Sequence, residues 1–310
     1  MLDAFKQDFW LLSREKRGYF AWAEKDRYRL HGLFPRHHHR FCPCCDGEPD
    51  ARAFVEDIFT NGFGLHPLLD TVFAAFARAE ARFSLRFVPQ RSHEERLTGS
   101  LVSEIEAAIH LASGHFRRQG EERYHEARDV DFIYYDLSRG GRLEKRTGAD
   151  LGLILHVDLP DWPPLTRYAA FQAKKSDGSA QIDAYQFDTL RSQFGEAAAY
   201  LFYDMGFSTL APPIVIEASQ LEQARKEKGS GSFSVAGDRI FSGLPLSLWL
   251  FARLARERTG ASVTSFRAAM DAFVHPQQQI EFTSGRVAVL SVGRRLELTR
   301  DVEAGLRIDV

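Results

Sequence analysis

The sequence predicts an α/β fold with α+β elaborations. A central mixed sheet of four or more strands is flanked by helices, with a helical addition at the N-terminus and an α/β addition at the C-terminus. Three observations predict it. Between Ser92 and Asp204 the residue patterns run helix, three strands, helix, strand. The strand candidates are short apolar and aromatic runs, whereas the helix candidates repeat their apolar residues every three to four positions. The chain has 310 residues, 44% hydrophobic and 26% charged, which is the balance of an ordinary globular protein.

The elements follow in chain order. Residues 1–90 read as mainly helical; Leu69, Val72, Phe73, Phe76 and Ala79 fall on one face of a helix over Leu68 to Phe83. Arg36 to Asp50 is a loop rich in His, Cys, Pro and Gly. Ser92, with Glu95 three residues on, forms a helix-start signature. Leu97, Leu101, Ile105, Ala108 and Ile109 continue that helix, which is expected to end near Gly114. Asp131 to Asp136 is a strand, and Ser138 to Gly141 supplies a turn. Asp150 to Asp158 and Tyr168 to Lys174 are the next two strands, separated by a loop containing Pro160, Pro163 and Pro164. Gln181 to Ala197 reads as a helix, and Ala198 to Asp204 as the fourth strand. Beyond it lie a strand at Ile214 to Glu217, a Lys/Gly/Ser loop at Lys226 to Ser234, and helices at Pro245 to Arg258 and Ser262 to Phe273. Arg286 to Val292 and Arg294 to Leu298 are late strands. The expected division is 1–90, 91–205 and 206–310, the middle segment being the core.

Several function classes are disfavoured. The first ten residues hold no unbroken apolar run, so they do not read as a secretory signal. The best apolar stretch, Leu244 to Leu254, contains a Pro and an Arg and reads as a buried helix, so no membrane span is expected. The three cysteines, Cys42, Cys44 and Cys45, crowd into four positions, unlike a secreted disulfide scaffold, and suggest a reducing, cytoplasmic setting. The formal net charge of −2 argues mildly against a protein that grips phosphate backbones unaided. A local basic face or a partner subunit would have to compensate.

The chemistry-bearing pattern lies on two strands. Asp150 opens the otherwise apolar run Leu151-Gly152-Leu153-Ile154-Leu155, and a carboxylate at a strand mouth suits a hard cation. In Tyr168 to Lys175 the alternation of side chains puts Gln172 and Lys174 on one face and Phe171 and Ala173 on the other. Asp150, the Gln172 side-chain oxygen and the Ala173 backbone carbonyl could together hold a divalent cation. Lys174 could then position water or offset charge during phosphodiester hydrolysis. One carboxylate holds Mg2+ weakly, and the preceding helix offers others. Glu94 shares the face of Leu97, Leu101 and Ile105 and ranks first, Glu104 ranks second, and Glu144 is a weaker candidate.

The run Thr147-Gly148-Ala149-Asp150-Leu151-Gly152-Leu153-Ile154-Leu155, followed by Phe171-Gln172-Ala173-Lys174-Lys175, resembles the PD-(D/E)xK restriction-endonuclease-like superfamily. It is most similar to the Mrr-like branch, in which a Gly-x-Asp strand precedes a Gln-x-Lys strand. The resemblance spans about Ser92 to Asp204 and does not reach either flank. It implies a metal-dependent nuclease using Mg2+ or Mn2+, with Asp150, Gln172 and Lys174 as its triad and Glu94 as the helix-borne acid. DNA is the implied substrate, and RNA stays open. Restriction or defence against foreign DNA is the implied setting, with an ATPase or helicase partner and homo-oligomerisation as further expectations. Gln181 to Tyr185 also resembles the Q-x-x-x-Y element of RecB-like nucleases, so Gln181, Tyr185 and Gln186 are supporting candidates. Gln172 replaces the usual second acid, which weakens the expected metal affinity.

Competing readings stand beside these. A globular domain in which Asp150 and Lys174 merely form a salt bridge explains the same residues. A weakly catalytic nuclease-fold module that binds nucleic acid or scaffolds a complex is the alternative function. Cys42 and Cys45 have zinc-knuckle spacing, and His37 and His39 could complete a Zn2+ site; a surface loop with idle thiols is the more frequent outcome. Arg139, Arg142, Lys145 and Arg146 make a basic turn that could meet phosphate or simply be solvated.

Overall fold

The computed structural model describes residues 18–25, 66–125, 129–136, 149–206, 210–228, 231–256, 259–273 and 286–294, with four positions between 53 and 58. The His/Cys candidates His37, His39, Cys42 and Cys45 lie outside the described residues, as do Glu144 and the basic turn.

The chain is a mixed α/β fold. Its eight-stranded mixed sheet has the order β1-β10-β2-β3-β5-β6-β8, with β9 paired to β3. The strands are β1 (Asp129–Asp136), β2 (Leu151–Asp158), β3 (Leu165–Ser176), β5 (Ala198–Asp204), β6 (Ile214–Glu217), β8 (Leu244–Pro245), β9 (Ala261–Ser262) and β10 (Arg286–Gly293). A separate pair joins β4 (Ser179–Asp183) to β7 (Ser232–Ala236). The described helices are α1 (Gly18–Lys25), α2 (Pro67–Arg86), α3 (Glu94–Tyr124), α4 (Ala184–Phe194), α5 (Glu222–Lys228), α6 (Gly237–Phe241), α7 (Leu246–Trp249) and α8 (Phe266–Asp271). No helix among the described residues is long and apolar enough to cross a membrane.

Strand β10 changes the expected layout. It pairs antiparallel with β1 and parallel with β2, so β1 and β2 do not form a hairpin. Its residues Val287 to Gly293 are all buried, as a strand covered on both faces requires. Edge strand β1 instead mixes buried Val130 and Phe132 with partly exposed Asp129 and Asp131, charges that discourage further pairing. The division at 205/206 therefore runs through one sheet, because β6, β8 and β10 belong to it.

Helices cover both faces. On one face Phe171 packs edge-on against Trp249, and Tyr203 lies against Phe83 of α2. Phe132 of β1 meets Phe76 of the same helix edge-on. On the other face Tyr200 stacks on Phe187 of α4, and Tyr168 meets Phe273 just after α8. Such aromatic pairs contribute about 0.5–1.5 kcal/mol each beyond area burial. Gly152 lies under the same Phe273 ring: a Cβ there would stand 2.6 Å from it. Gly152→Ala is expected to cost about 1–3 kcal/mol through overpacking, measured as a lower urea midpoint.

Several boundaries differ from expectation, each for a tertiary reason. Helix α3 runs to Tyr124, ten residues past Gly114, which sits on an exposed face, while Phe116 beyond it is buried. Burial of that turn outweighs the roughly 1 kcal/mol propensity cost of glycine. Its N-cap is His93, not Ser92. Helix α4 starts at Ala184, not Gln181, because Asp183 caps it by accepting from the Gln186 N–H at 2.9 Å. The preceding residues alternate buried Ala180 and Ile182 with exposed Gln181 and pair with β7. The Lys226 to Ser234 loop is in part helix α5 and in part strand β7. The Pro245 helix becomes a π-turn over Leu250–Leu254, where the Ala255 N–H reaches Leu250 O at 2.8 Å.

Two polar knots, the first buried and the second largely exposed, fasten these layers. Glu80 of α2 is fully buried and accepts from the Ser247 N–H at 2.8 Å, the Ser247 hydroxyl at 2.7 Å and the Tyr19 hydroxyl. Burial pushes its carboxyl up to about 8 against these donors. At the far end of β2, Tyr124 and Arg123 donate to the two oxygens of Asp161 at 2.7 and 2.8 Å, while His66 Nδ1 accepts from the Leu68 N–H. The Tyr124 hydrogen bond, with Arg123, holds Asp161 down at about 2.

Candidate active site

The site forms where β2 begins and β3 runs on past it. In a strand, alternate residues direct N–H and C=O to the same edge. The Asp150 N–H donates to Phe171 O at 2.7 Å, and Leu151 is opposite Phe171. Phe171, Ala173 and Lys175 therefore turn their backbone groups towards the β2 side, and among the described residues β2 offers no backbone partner to the last two.

Two carboxylates take that place. Asp150 Oδ2 accepts from the Ala173 N–H at 2.8 Å, and Glu94 Oε1 accepts from the Lys175 N–H at 2.9 Å. The two N–H groups lie about 7 Å apart along the strand. An Asp at the strand mouth and a Glu in the first turn of α3 thus cap consecutive open positions of one strand. The Ala173 carbonyl faces the same edge, between them.

Gln172 and Lys174 share the other register of β3, as the alternation requires. Gln172 is 2% exposed and donates from Nε2 to Asp150 Oδ2 at 2.6 Å. Its Oε1 is buried and has no hydrogen-bond partner among the described residues. Lys174 is half-buried and donates from Nζ to Gln186 Oε1 at 3.2 Å. The Asp183 cap holds Gln186 in the first turn of α4. The Q-x-x-x-Y resemblance made Gln186 a supporting candidate, and the structure connects it directly to the lysine.

Other candidates are placed elsewhere. Glu104 is ten residues further along α3, about 15 Å from Glu94, and pairs with Arg82 at 3.0 Å and Arg86 at 3.2 Å. It fastens α3 to α2 and is not brought to the site. Gln181 and Tyr185 are on different elements, β4 and α4, so they do not form one helical Q-x-x-x-Y face. Gln181 lines an open cleft of about 400 Å³ with Arg91, Glu94, Lys175 and Asp177. That cleft adjoins the site on the Glu94 side and does not include Asp150, Gln172 or Lys174. Tyr185 is 70% exposed.

Three neighbours escaped the sequence reading. Thr98, one turn after Glu94, exchanges a 2.9 Å hydrogen bond with the Tyr203 hydroxyl, and burial pushes that phenol up. The i, i+4 spacing of Glu94 and Thr98 was the available signal. Tyr200 is opposite Gln172 on β5 and has a buried hydroxyl with no partner among the described residues. Burial, then the nearby charge of Asp150, raises its phenol pKa, so it stays protonated. No local pattern reveals a parallel register, so nothing in the sequence pointed to it.

The donor set is small for a cation. No group of three or more His, Cys, Asp or Glu side chains among the described residues is arranged to hold a metal ion. The fit rests instead on two carboxylates, a backbone carbonyl and the Gln172 amide, whose NH2 group rather than its oxygen faces Asp150. A hard cation takes carboxylate, carbonyl and amide oxygens readily.

Glu94 separates a structural role from a charged one. Glu94→Gln keeps an oxygen for the Lys175 N–H but removes the charge. It is expected to leave the melting temperature within about 2 °C while raising the Mn2+ concentration for half-maximal thermal stabilisation about tenfold. Loss of stability with an unchanged Mn2+ midpoint would assign Glu94 to capping alone.

Comparison of the chain with family models, curated proteins and solved structures finds no match.

Proposed function

We propose that this chain is a metal-dependent nuclease with a restriction-endonuclease-like core, hydrolysing phosphodiester bonds, DNA first among substrates. The observation that carries the reading is the open end of β3. Asp150 and Glu94 cap its Ala173 and Lys175 N–H groups, the Gln172 amide reaches Asp150 from the other register, and Lys174 stands two residues on.

Asp150, Glu94, Gln172 Oε1 and the Ala173 carbonyl are the oxygens that would hold Mg2+ or Mn2+. Lewis acidity towards phosphoryl oxygen and water is the chemistry such an ion supplies there. The chain's own residues do the rest. The Ala173 N–H fixes the Asp150 carboxylate. Gln186 holds the Lys174 ammonium at the site, where it can orient the attacking water and offset charge on the phosphoryl group. Lys175 and Arg91, in the cleft beside Glu94, offer positive charge to the neighbouring backbone phosphate. Restriction or defence is the setting that the PD-(D/E)xK resemblance suggests, and the net charge of −2 favours a partner that helps hold the substrate.

One observation favours the second reading, a weakly catalytic module that binds nucleic acid. Gln172 hydrogen-bonds Asp150 where a second acid would strengthen cation binding. The purified chain incubated with plasmid and linear DNA, in Mg2+, Mn2+ or EDTA, tests both. Cleavage that needs the metal supports the nuclease; DNA binding without cleavage in any metal supports the module.

A further inference from the structure

Gln172 Oε1 and Tyr200 Oη are both buried and both without a hydrogen-bond partner among the described residues. They belong to directly paired residues of neighbouring parallel strands, so the two side chains leave one face of the sheet side by side. Tyr200 is wholly buried, and the stacked Phe187 ring leaves it little freedom. Two unsatisfied polar atoms on directly paired residues of one sheet face invite a common explanation.

The Gln172 amide has one oxygen and one NH2 group, and only one of them can face Asp150. In the structure the NH2 faces it, donating to Oδ2 at 2.6 Å, and the oxygen has no partner among the described residues. A cation held by Asp150 needs the reverse orientation, with the amide oxygen forward. The NH2 then turns inward, away from the carboxylate, and requires an acceptor in a buried place. Tyr200 Oη is a polar atom in that vicinity with lone pairs to spare.

We propose that Tyr200 is a positioning residue of the cation site: its hydroxyl accepts the Gln172 NH2 group, directly or through one water, when the amide turns its oxygen to the metal. The inference rests on the cation reading above. It explains why a neutral glutamine can stand where a carboxylate would need no such help, since both carboxylate oxygens are equivalent. Tyr200 thus sets which end of Gln172 the metal meets.

The experiment is a double-mutant cycle read by Mn2+-dependent thermal stabilisation of the purified chain, with circular dichroism confirming the fold of each variant. Tyr200→Phe removes an unsatisfied hydroxyl, so the metal-free melting temperature stays level or rises. Its Mn2+ midpoint rises about 10- to 100-fold, the range for loss of a group that orients a ligand. In the Gln172→Glu background the same Tyr200→Phe change leaves the midpoint within about twofold, because no amide needs orienting. An unchanged midpoint in the Gln172 background overturns the proposal, as does an equal penalty in both backgrounds, which would mark a packing effect. No Mn2+ response in the wild type, and none in Asp150→Asn, overturns the cation reading itself. That outcome is distinct from a wild-type response that Tyr200→Phe leaves intact.

Discussion

Lys174→Met is expected to lower metal-dependent DNA cleavage by about 10²- to 10³-fold, the usual loss when one charge-stabilising group leaves a phosphoryl-transfer site. The substitution keeps the length of the side chain and removes only the ammonium that Gln186 holds at 3.2 Å. Lys174 is half-buried at the end of β3, so the fold should survive, with a melting temperature within a few degrees of wild type. Asp150→Asn should be equally severe for a different reason. The asparagine oxygen can still accept from the Ala173 N–H, but the anion that would hold the cation is gone. The Mn2+-induced thermal shift should therefore vanish in Asp150→Asn and persist in Lys174→Met. Cleavage at wild-type rate in both variants would trace the activity to a contaminating nuclease.

The second large effect concerns stability. Glu80 is fully buried between α1, α2 and α7, and its carboxyl is raised to about 8 from an ordinary 4.5. A raised folded-state pKa means that the unfolded chain releases the proton first. The group's contribution is therefore complete below about pH 4.5 and fades as pH rises through about 8. Across that window the loss is on the order of 5 kcal/mol. Glu80→Gln, which mimics the protonated acid, should flatten this part of the urea stability profile and be more stable than wild type at pH 8. Glu80→Ala strands the donors Tyr19 and Ser247 and opens a cavity, for about 3 kcal/mol of destabilisation at pH 5. Parallel pH profiles for wild type and Glu80→Gln would show that the carboxyl titrates normally.

Much of the candidate site's arrangement was legible in the sequence because its key features are local. Alternation in Tyr168 to Lys174 places Gln172 and Lys174 together whatever the partner strands are. An Asp just before an apolar strand lies at its mouth by construction. Glu94 was favoured over Glu104 by the packed face it shares with Leu97 and Leu101, and the structure puts Glu94 at β3 while Arg82 and Arg86 engage Glu104. Gln181 shows the limit. Its neighbours fit a helix as well as a strand, and pairing with Ser234 on β7 decided for the strand.

The sequence by itself determined the mixed α/β character, the identity of the main strands and the β3 alternation. Each follows from backbone periods that repeat within a few residues. Only the tertiary structure decided that β10, from the far end of the chain, lies between β1 and β2, and that Tyr200 is opposite Gln172. Lateral strand order and register are set by packing between segments distant in sequence. A local pattern records which face of a strand is apolar, but not which strand lies beside it.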